Sequence, residues 1–232
     1  MVRAQDCMGH GLGIESVIET SRRFGSARGR RDSLSQRIRS LWKERPLELF
    51  PGLELGVWNG WFLVAIFYLV FAILLALFPR PVVARLYDRS GQRRPGGVRR
   101  VLGLLLFFSW LVLSILSPLK QGDPVFALGL GLYSLGLMGF VAALFNYALT
   151  SLDQPVTSGL YRISRHPQQF MISVSFLGIS IAIGSWIAFV LIAIGVIAAH
   201  AKVLAEEKAC LEAYGDSYRD YMDRVPRYFL LF

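Results

Sequence analysis

Three stretches of this chain carry no charged residue over roughly the width of a bilayer, and a fourth, largely apolar run is longer still. Trp58 to Phe78 reads WNGWFLVAIFYLVFAILLALF, Val101 to Ser117 reads VLGLLLFFSWLVLSILS, and Pro124 to Thr150 reads PVFALGLGLYSLGLMGFVAALFNYALT. Each approaches the ~20 residues with which an α-helix crosses a hydrocarbon layer. Backbone polar groups find no water there, so such segments must be helical. The last run, Phe170 to Val203, is too long for one crossing, and Gly184-Ser185 divides it into two arms. The expected fold is an all-α integral membrane protein of about five transmembrane helices, the last two a tight helical hairpin, followed by a cytoplasmic helical tail. Mean hydropathy of +0.47 agrees. So does a hydrophobic content of 54%, against about half in soluble domains even when Gly is counted. The arm from Phe170 to Ile183 is short for a full crossing at ~1.5 Å per residue, which brings the polar stretch before it close to the membrane boundary.

The net charge of +9 comes from arginine. Arg22, Arg23, Arg28, Arg30, Arg31, Arg37, Arg39, Lys43 and Arg45 precede the first span. Arg80, Arg85, Arg89, Arg93, Arg94, Arg99 and Arg100 fill the first loop. Retention of basic loops on the cytoplasmic side and contact with anionic lipid headgroups account for this pattern. No recognition motif accompanies the charge, so nucleic acid is not an expected partner, and no obligate protein partner is evident. A cytoplasmic first loop places the Thr150–Gln169 loop and the C-terminal tail on the same side. The basic N-terminal segment then falls on the other side, against the same rule, unless the LELFPGLELGVW stretch re-enters the membrane.

Residues 1–32 are rich in Gly, Ser and Arg without periodicity and are expected to be disordered. No apolar run lies near Met1, so a cleaved signal peptide is not expected. Residues 33–56 are read as an amphipathic membrane-surface helix and linker, with Leu34, Ile38, Leu41 and Trp42 on one face. Residues 57–232 form the transmembrane domain, with its polar, ligand-binding part in 150–232. Cys7 and Cys210 suggest neither a disulfide framework nor a zinc site, and no metal is expected.

Three polar features exceed what a plain bundle needs. SGLYRISRHPQQF, from Ser158 to Phe170, sets Arg162, Arg165, His166, Gln168 and Gln169 against an apolar span. Pro167 suits the first helical turn, so the helix start, with free N–H groups and partial positive charge, adjoins Arg165 and His166. Such a place binds a carboxylate or phosphate; snorkelling of the arginines to headgroups is the plainer alternative. In HAKVLAEEKACLEAYGDSYRDYMDRVPRYF, His200 and Glu207 share a helix face and Glu206 lies about 100° round, so the two carboxylates can bracket a ligand. The plainer alternative is a solvated helix end with Lys202 and Glu206 as an (i, i+4) pair. In the third span Gly129, Gly136, Gly139, Ala143 and Asn146 share a narrow sector. Either small residues allow close helix packing, or a cofactor lies along this bare surface, with Asn146 and Tyr147 at its edge.

The ordered series Gly159, Tyr161, Arg165, His166, Pro167, then a hairpin, then Glu206, Glu207, Leu211, Tyr214, Gly215, Tyr218, Tyr221, Val225, Pro226 and Arg227 resembles the isoprenylcysteine carboxyl methyltransferases and the related phospholipid N-methyltransferases. Gly129-Leu130-Gly131 is similar to the Gly-x-Gly that phospholipid methyltransferases carry on the preceding span. The resemblance implies S-adenosylmethionine as cofactor, held at the cytoplasmic membrane face by the Arg-His-Pro region and the Glu pair. It also implies a lipid-like acceptor entering from the bilayer, of the prenylcysteine carboxylate or phospholipid amine type. The cofactor-binding residues it implies are Gly129, Gly131, Tyr161, Arg165, His166, Pro167, Phe170, Glu206 and Glu207. Methyl transfer needs alignment more than acid–base groups; Asn146, His200 and Lys202 are the candidates should one act. Gln169 stands where the family usually has Tyr; either Phe170 supplies the missing bulk or the pocket is altered there. An NADPH-dependent sterol reductase and a non-catalytic lipid-binding protein of the same fold are the competing readings.

Overall fold

The computed structural model describes residues 48–49, 51–88 and 96–229. The expectations for residues 1–32, for the surface helix beginning at Ser33, and for Arg89, Arg93 and Arg94 lie outside the described residues. Seven α-helices and one short 3-10 turn make up the described chain, and no strand occurs among the described residues.

Helices α1 (Gly60–Leu77), α3 (Gly97–Leu116), α4 (Pro124–Ala148) and α6 (Trp186–Tyr214) are each long and apolar enough to cross a membrane. Helix α5 (Pro167–Ala182) is apolar but has only 16 residues. At 1.5 Å per residue it rises about 24 Å, less than a hydrocarbon core of roughly 30 Å. Together the five are the expected spans. Helix α6, with 29 residues, is long enough to extend past its partner. Between α1 and α3 the chain forms a short helix, α2 (Arg80–Tyr87), where the sequence pattern predicts only a basic loop; Pro81 opens its first turn. Helix α7 (Asp216–Arg224) follows α6 across Gly215, whose φ of 57° ends the longer helix.

The α5–α6 hairpin turns at Ile183–Ser185, with Gly184 at φ 66°. Its tip is pinned by three backbone bonds from two segments. The Glu48 N–H donates to Gly184 O at 2.9 Å, Trp186 N–H donates to Glu48 O at 3.1 Å, and Lys120 N–H donates to Ala182 O at 3.1 Å. At the same end buried Asn59 donates through Nδ2 to the carbonyls of Glu54 and Ile115. These bonds satisfy backbone groups that helix termini leave open.

The core is aromatic. Trp110 is fully buried, stacks on Phe176 at 4.8 Å and donates its indole N–H to Ser180 Oγ at 2.9 Å. Phe67 stacks on Phe140 at 5.0 Å, and Tyr133 donates to Leu63 O. The seam between α4 and α5 explains the small-residue sector. A methyl group on Gly129 would overlap the backbone of Ala182, one on Gly136 that of Ser175, and one on Gly178 that of Tyr133. Close helix packing is therefore what these glycines serve. The expectation that Gly129 borders a cofactor is corrected: α5 occupies that surface. Gly131 faces open space, with nothing within 4 Å of an added Cβ.

Candidate active site

The site is assembled where the loop before α5 meets the end of α6 and the segment after α7. Arg85, on α2, holds the beginning of that loop. It donates to Ser151 O at 2.9 Å and Gln154 O at 2.6 Å, and its guanidinium lies 5.1 Å from the ring centre of Tyr147. The 3-10 turn Gly159–Arg162 then passes over α4. Gly159, at φ 59°, lies against Asn146 so closely that any side chain there would overlap the amide. Tyr161 is buried, and its carbonyl accepts from Tyr221 Oη at 2.7 Å. Burial pushes the Tyr161 and Tyr221 phenols above their ordinary range, so both stay neutral donors.

Ser164, Arg165 and His166 are locked by the stretch after α7. Arg165 N–H donates to Pro226 O at 3.0 Å, Ser164 Oγ donates to Arg227 O at 3.1 Å, and His166 N–H donates back to Ser164 Oγ. The two basic side chains thus turn inward, Arg165 at 7% exposure and His166 at 8%. They meet Glu207, at 4%. Arg165 Nε lies 3.3 Å from Glu207 Oε1, and His166 Nε2 is also 3.3 Å from it. Arg227 binds the same carboxylate in a fork, Nη2 at 2.8 Å and Nε at 3.0 Å from Oε2. A carboxylate only accepts, so His166 carries its proton on Nε2. The fork to Glu207 raises Arg227 further above its already basic range. Two guanidinium groups against one carboxylate leave the cluster with surplus positive charge.

Several donors around this cluster are uncommitted. Arg165 Nε, although near Glu207, is not aimed at it and makes no hydrogen bond, and buried Gln168 Nε2 makes no well-formed bond although the Gln168 amide lies within reach of the Tyr161 phenol. No side chain caps the start of α5. The first bond there runs from Phe170 N–H to His166 O, so the N–H groups of Gln168 and Gln169 precede it.

Tyr161, Arg165, His166, Pro167 and Glu207 are therefore brought together, but Glu207 is taken up by three protein partners. Glu206 is half-buried, makes no ion pair or hydrogen bond among the described residues, and faces Tyr147 and Tyr161. Phe170 packs on Phe229 at 4.6 Å between ring centres. The catalytic candidates do not converge. Asn146 lies beneath Gly159, His200 Nδ1 is 3.1 Å from Tyr228 Oη, and Lys202 lines a cavity on another side of α6. Arg227 and Tyr228, which links His166 and His200 through ring contacts of 6.4 and 5.9 Å, were not among the expected site residues. The Val225-Pro226-Arg227 triplet was the available signal for the first; nothing local marks the second.

That cavity, about 1450 Å³, lies between α3, α5 and α6 and is walled largely by apolar side chains such as Leu106, Phe107, Ile172 and Phe176. Its polar lining includes Arg99, Gln169 and Lys202. Gln169, where the family pattern has Tyr, thus belongs to the cavity wall, next in sequence to the uncommitted Gln168.

The sequence pattern that describes phospholipid methyltransferases matches residues 98–217, just over half of the chain. The match begins in α3, takes in most of the cavity wall, Arg165-His166 and Glu206-Glu207, and stops at the start of α7. No curated protein matches the sequence. On that match and this architecture, the chain belongs to the phospholipid methyltransferase family of integral membrane methyltransferases.

Proposed function

We propose that this protein transfers a methyl group from S-adenosylmethionine to a lipid-like acceptor that stays in the bilayer. One observation carries the reading: an electropositive, donor-rich helix start next to a membrane-level cavity too large for a single small ligand. Pockets for small molecules typically measure ~300–1,000 Å³, so about 1450 Å³ gives room for a long acceptor chain beside the cofactor-binding groups, which do not line it.

The uncommitted groups fit the cofactor's functional groups. Its carboxylate suits the α5 start, with Gln168 Nε2 and Arg165 as donors. Its ammonium and ribose hydroxyls suit the unpartnered carboxylate of Glu206. Tyr161 and the Phe170–Phe229 pair supply aromatic cover beside these donors. Bound there, S-adenosylmethionine supplies an electrophilic methyl group on a sulfonium centre. In this reading Glu207 is a positioning residue: it fixes Arg165 and His166 and leaves the contact with ligand to them. The apolar cavity excludes water from the transfer. The basic α2–α3 region supports a cytoplasmic location for the site.

The test is incubation of the purified protein with methyl-labelled S-adenosylmethionine and a total lipid extract. Label should appear in the lipid phase. Absence of transfer, together with binding of NADPH in place of S-adenosylhomocysteine, would sink the reading in favour of a reductase.

A further inference from the structure

Helix α2 stands outside the segment that matches the family pattern, yet one of its side chains reaches the site. Arg85 is half-buried and touches three other parts of the chain. Its Nη1 donates to Ser151 O at 2.9 Å and its Nη2 to Gln154 O at 2.6 Å, and Nη2 also approaches Tyr214 Oη at 3.4 Å. The guanidinium carbon lies 5.1 Å from the ring centre of Tyr147, within the range of a cation–π contact. The end of α4, the turn that follows it and the end of α6 thus meet at one group supplied by α2. The turn leads directly into the site. It closes on itself from Gln154 N–H to Ser151 O at 3.3 Å, and Thr150 ties it back to α4 through Asn146 O and Tyr147 O. Beyond it Gly159 packs on Asn146, and the chain enters Tyr161, Arg165 and His166.

The segment that carries Arg165 and His166 is held on one side by Pro226 O and Arg227 O. Arg85 holds the approach to it from the other side. We infer that Arg85 is a positioning residue for cofactor binding: it fixes the turn at 151–154 that feeds the Tyr161–His166 stretch, and it holds the Tyr147 ring in place beside Glu206. This inference rests on the methyl-transfer reading and adds to the site a residue that the family match does not cover. The chemistry asks for arginine. Two carbonyls three residues apart are met by two N–H groups of one planar fork, while the face of the same plane suits an aromatic ring. A lysine would bring the charge as a single point and could not hold both carbonyls and the ring at once. Ser151, Gln154 and Tyr147 also lie outside the ligand-contacting set, so Arg85 acts through the wall and not on the ligand.

The test needs no turnover. The detergent-purified full chain is titrated with S-adenosylhomocysteine by calorimetry. Arg85→Gln should weaken binding about tenfold, the scale of one charge-assisted hydrogen bond. Arg85→Lys should recover little of that loss. Arg100→Gln, which removes an exposed arginine from neighbouring α3, should bind as the wild type does. A purely structural role would not produce coupling to Glu206. In the Glu206→Gln background, Arg85→Gln should therefore cost less than it does alone. Hydrogen exchange over residues 150–158 reads the turn without any ligand and should quicken in both Arg85 variants. Wild-type affinity in Arg85→Gln would overturn the inference. So would full recovery by Arg85→Lys, or losses that simply add in the double variant. If the wild type binds no S-adenosylhomocysteine, the methyl-transfer reading falls by itself. Faster exchange in Arg85→Gln would then still leave Arg85 as the clasp of this turn, and unchanged exchange would remove that role too.

Discussion

Replacing Glu207 by Gln separates a ligand-contacting group from a positioning one. The carboxylate receives Arg227 in a fork at 2.8 and 3.0 Å, with His166 and Arg165 each at 3.3 Å. Gln keeps the shape and one acceptor oxygen. It also sets an NH2 group against donors and strips two guanidinium groups of their counter-charge. Removing one partner of a buried ion pair costs about 3–5 kcal/mol. The Arg165 side chain is only 5% exposed and feels most of that, whereas the Arg227 side chain, at 23%, regains some solvation. A loss of about 3 kcal/mol follows, or roughly 6–12 °C in Tm for a chain of this size. Glu206→Gln, at a half-buried carboxylate without a partner, should stay within about 0.5 kcal/mol while weakening S-adenosylhomocysteine binding. Thermal unfolding in detergent compares the two. Limited trypsin digestion adds a local readout, because Arg227 released from its fork exposes the Arg227–Tyr228 bond. Equal Tm values for the two variants, with no new cleavage at Arg227, would refute the positioning role.

Gly129→Ala should destabilise by about 1–3 kcal/mol, because the new methyl has only helix backbone to meet, whereas Gly131→Ala should be neutral or stabilising by up to ~1 kcal/mol; Tm values of the pair check this. Cysteines introduced at Ser158 and Ser217 should be labelled from one face of a sealed vesicle and one at Gly122 from the other, and opposite labelling of Ser158 and Ser217 would break the topology. Burial holds the Tyr161, Tyr218 and Tyr221 phenols above their ordinary value of 10.0. An unfolded chain releases these protons first, so stability from this cluster is intact below about pH 10 and declines as pH rises beyond it; a phenolate absorbance titration should show delayed ionisation ending in cooperative loss of helix.

The bilayer made most of the architecture legible. Uncharged runs placed α1, α3 and α4 to within a few residues, because a membrane helix is specified by length and polarity rather than by a faint periodicity. Gly184-Ser185 and Gly215 marked real breaks because each glycine there adopts positive φ. Helix α2 was hidden: eight residues with arginines and a proline carry little apolar signal. Within the site, the seven-residue spacing of His200 and Glu207 correctly turned Glu207 inward. Its partners could not be read the same way, since Arg165 and Arg227 approach from segments separated by the entire hairpin. The small-residue sector of α4 supported two readings, and only the presence of α5 against Gly129 and Gly136 chose between them.

Ser164 and Arg227 are bonded across 63 positions of sequence, with both arms of the hairpin between them. A ribosome delivers those positions in order, so the membrane-inserted chain exists for a time without its clasp. During that interval the arginine-histidine corner has no Pro226 carbonyl to orient it, and Glu207 lacks its forked partner. Insertion and competence are therefore separate events in the life of this protein. A premature stop anywhere between Gly215 and Arg227 would yield a correctly threaded, correctly oriented polypeptide with an unassembled site. Such a product would keep its spans but lose the forked partner of Glu207, and with it the stability that this buried cluster contributes.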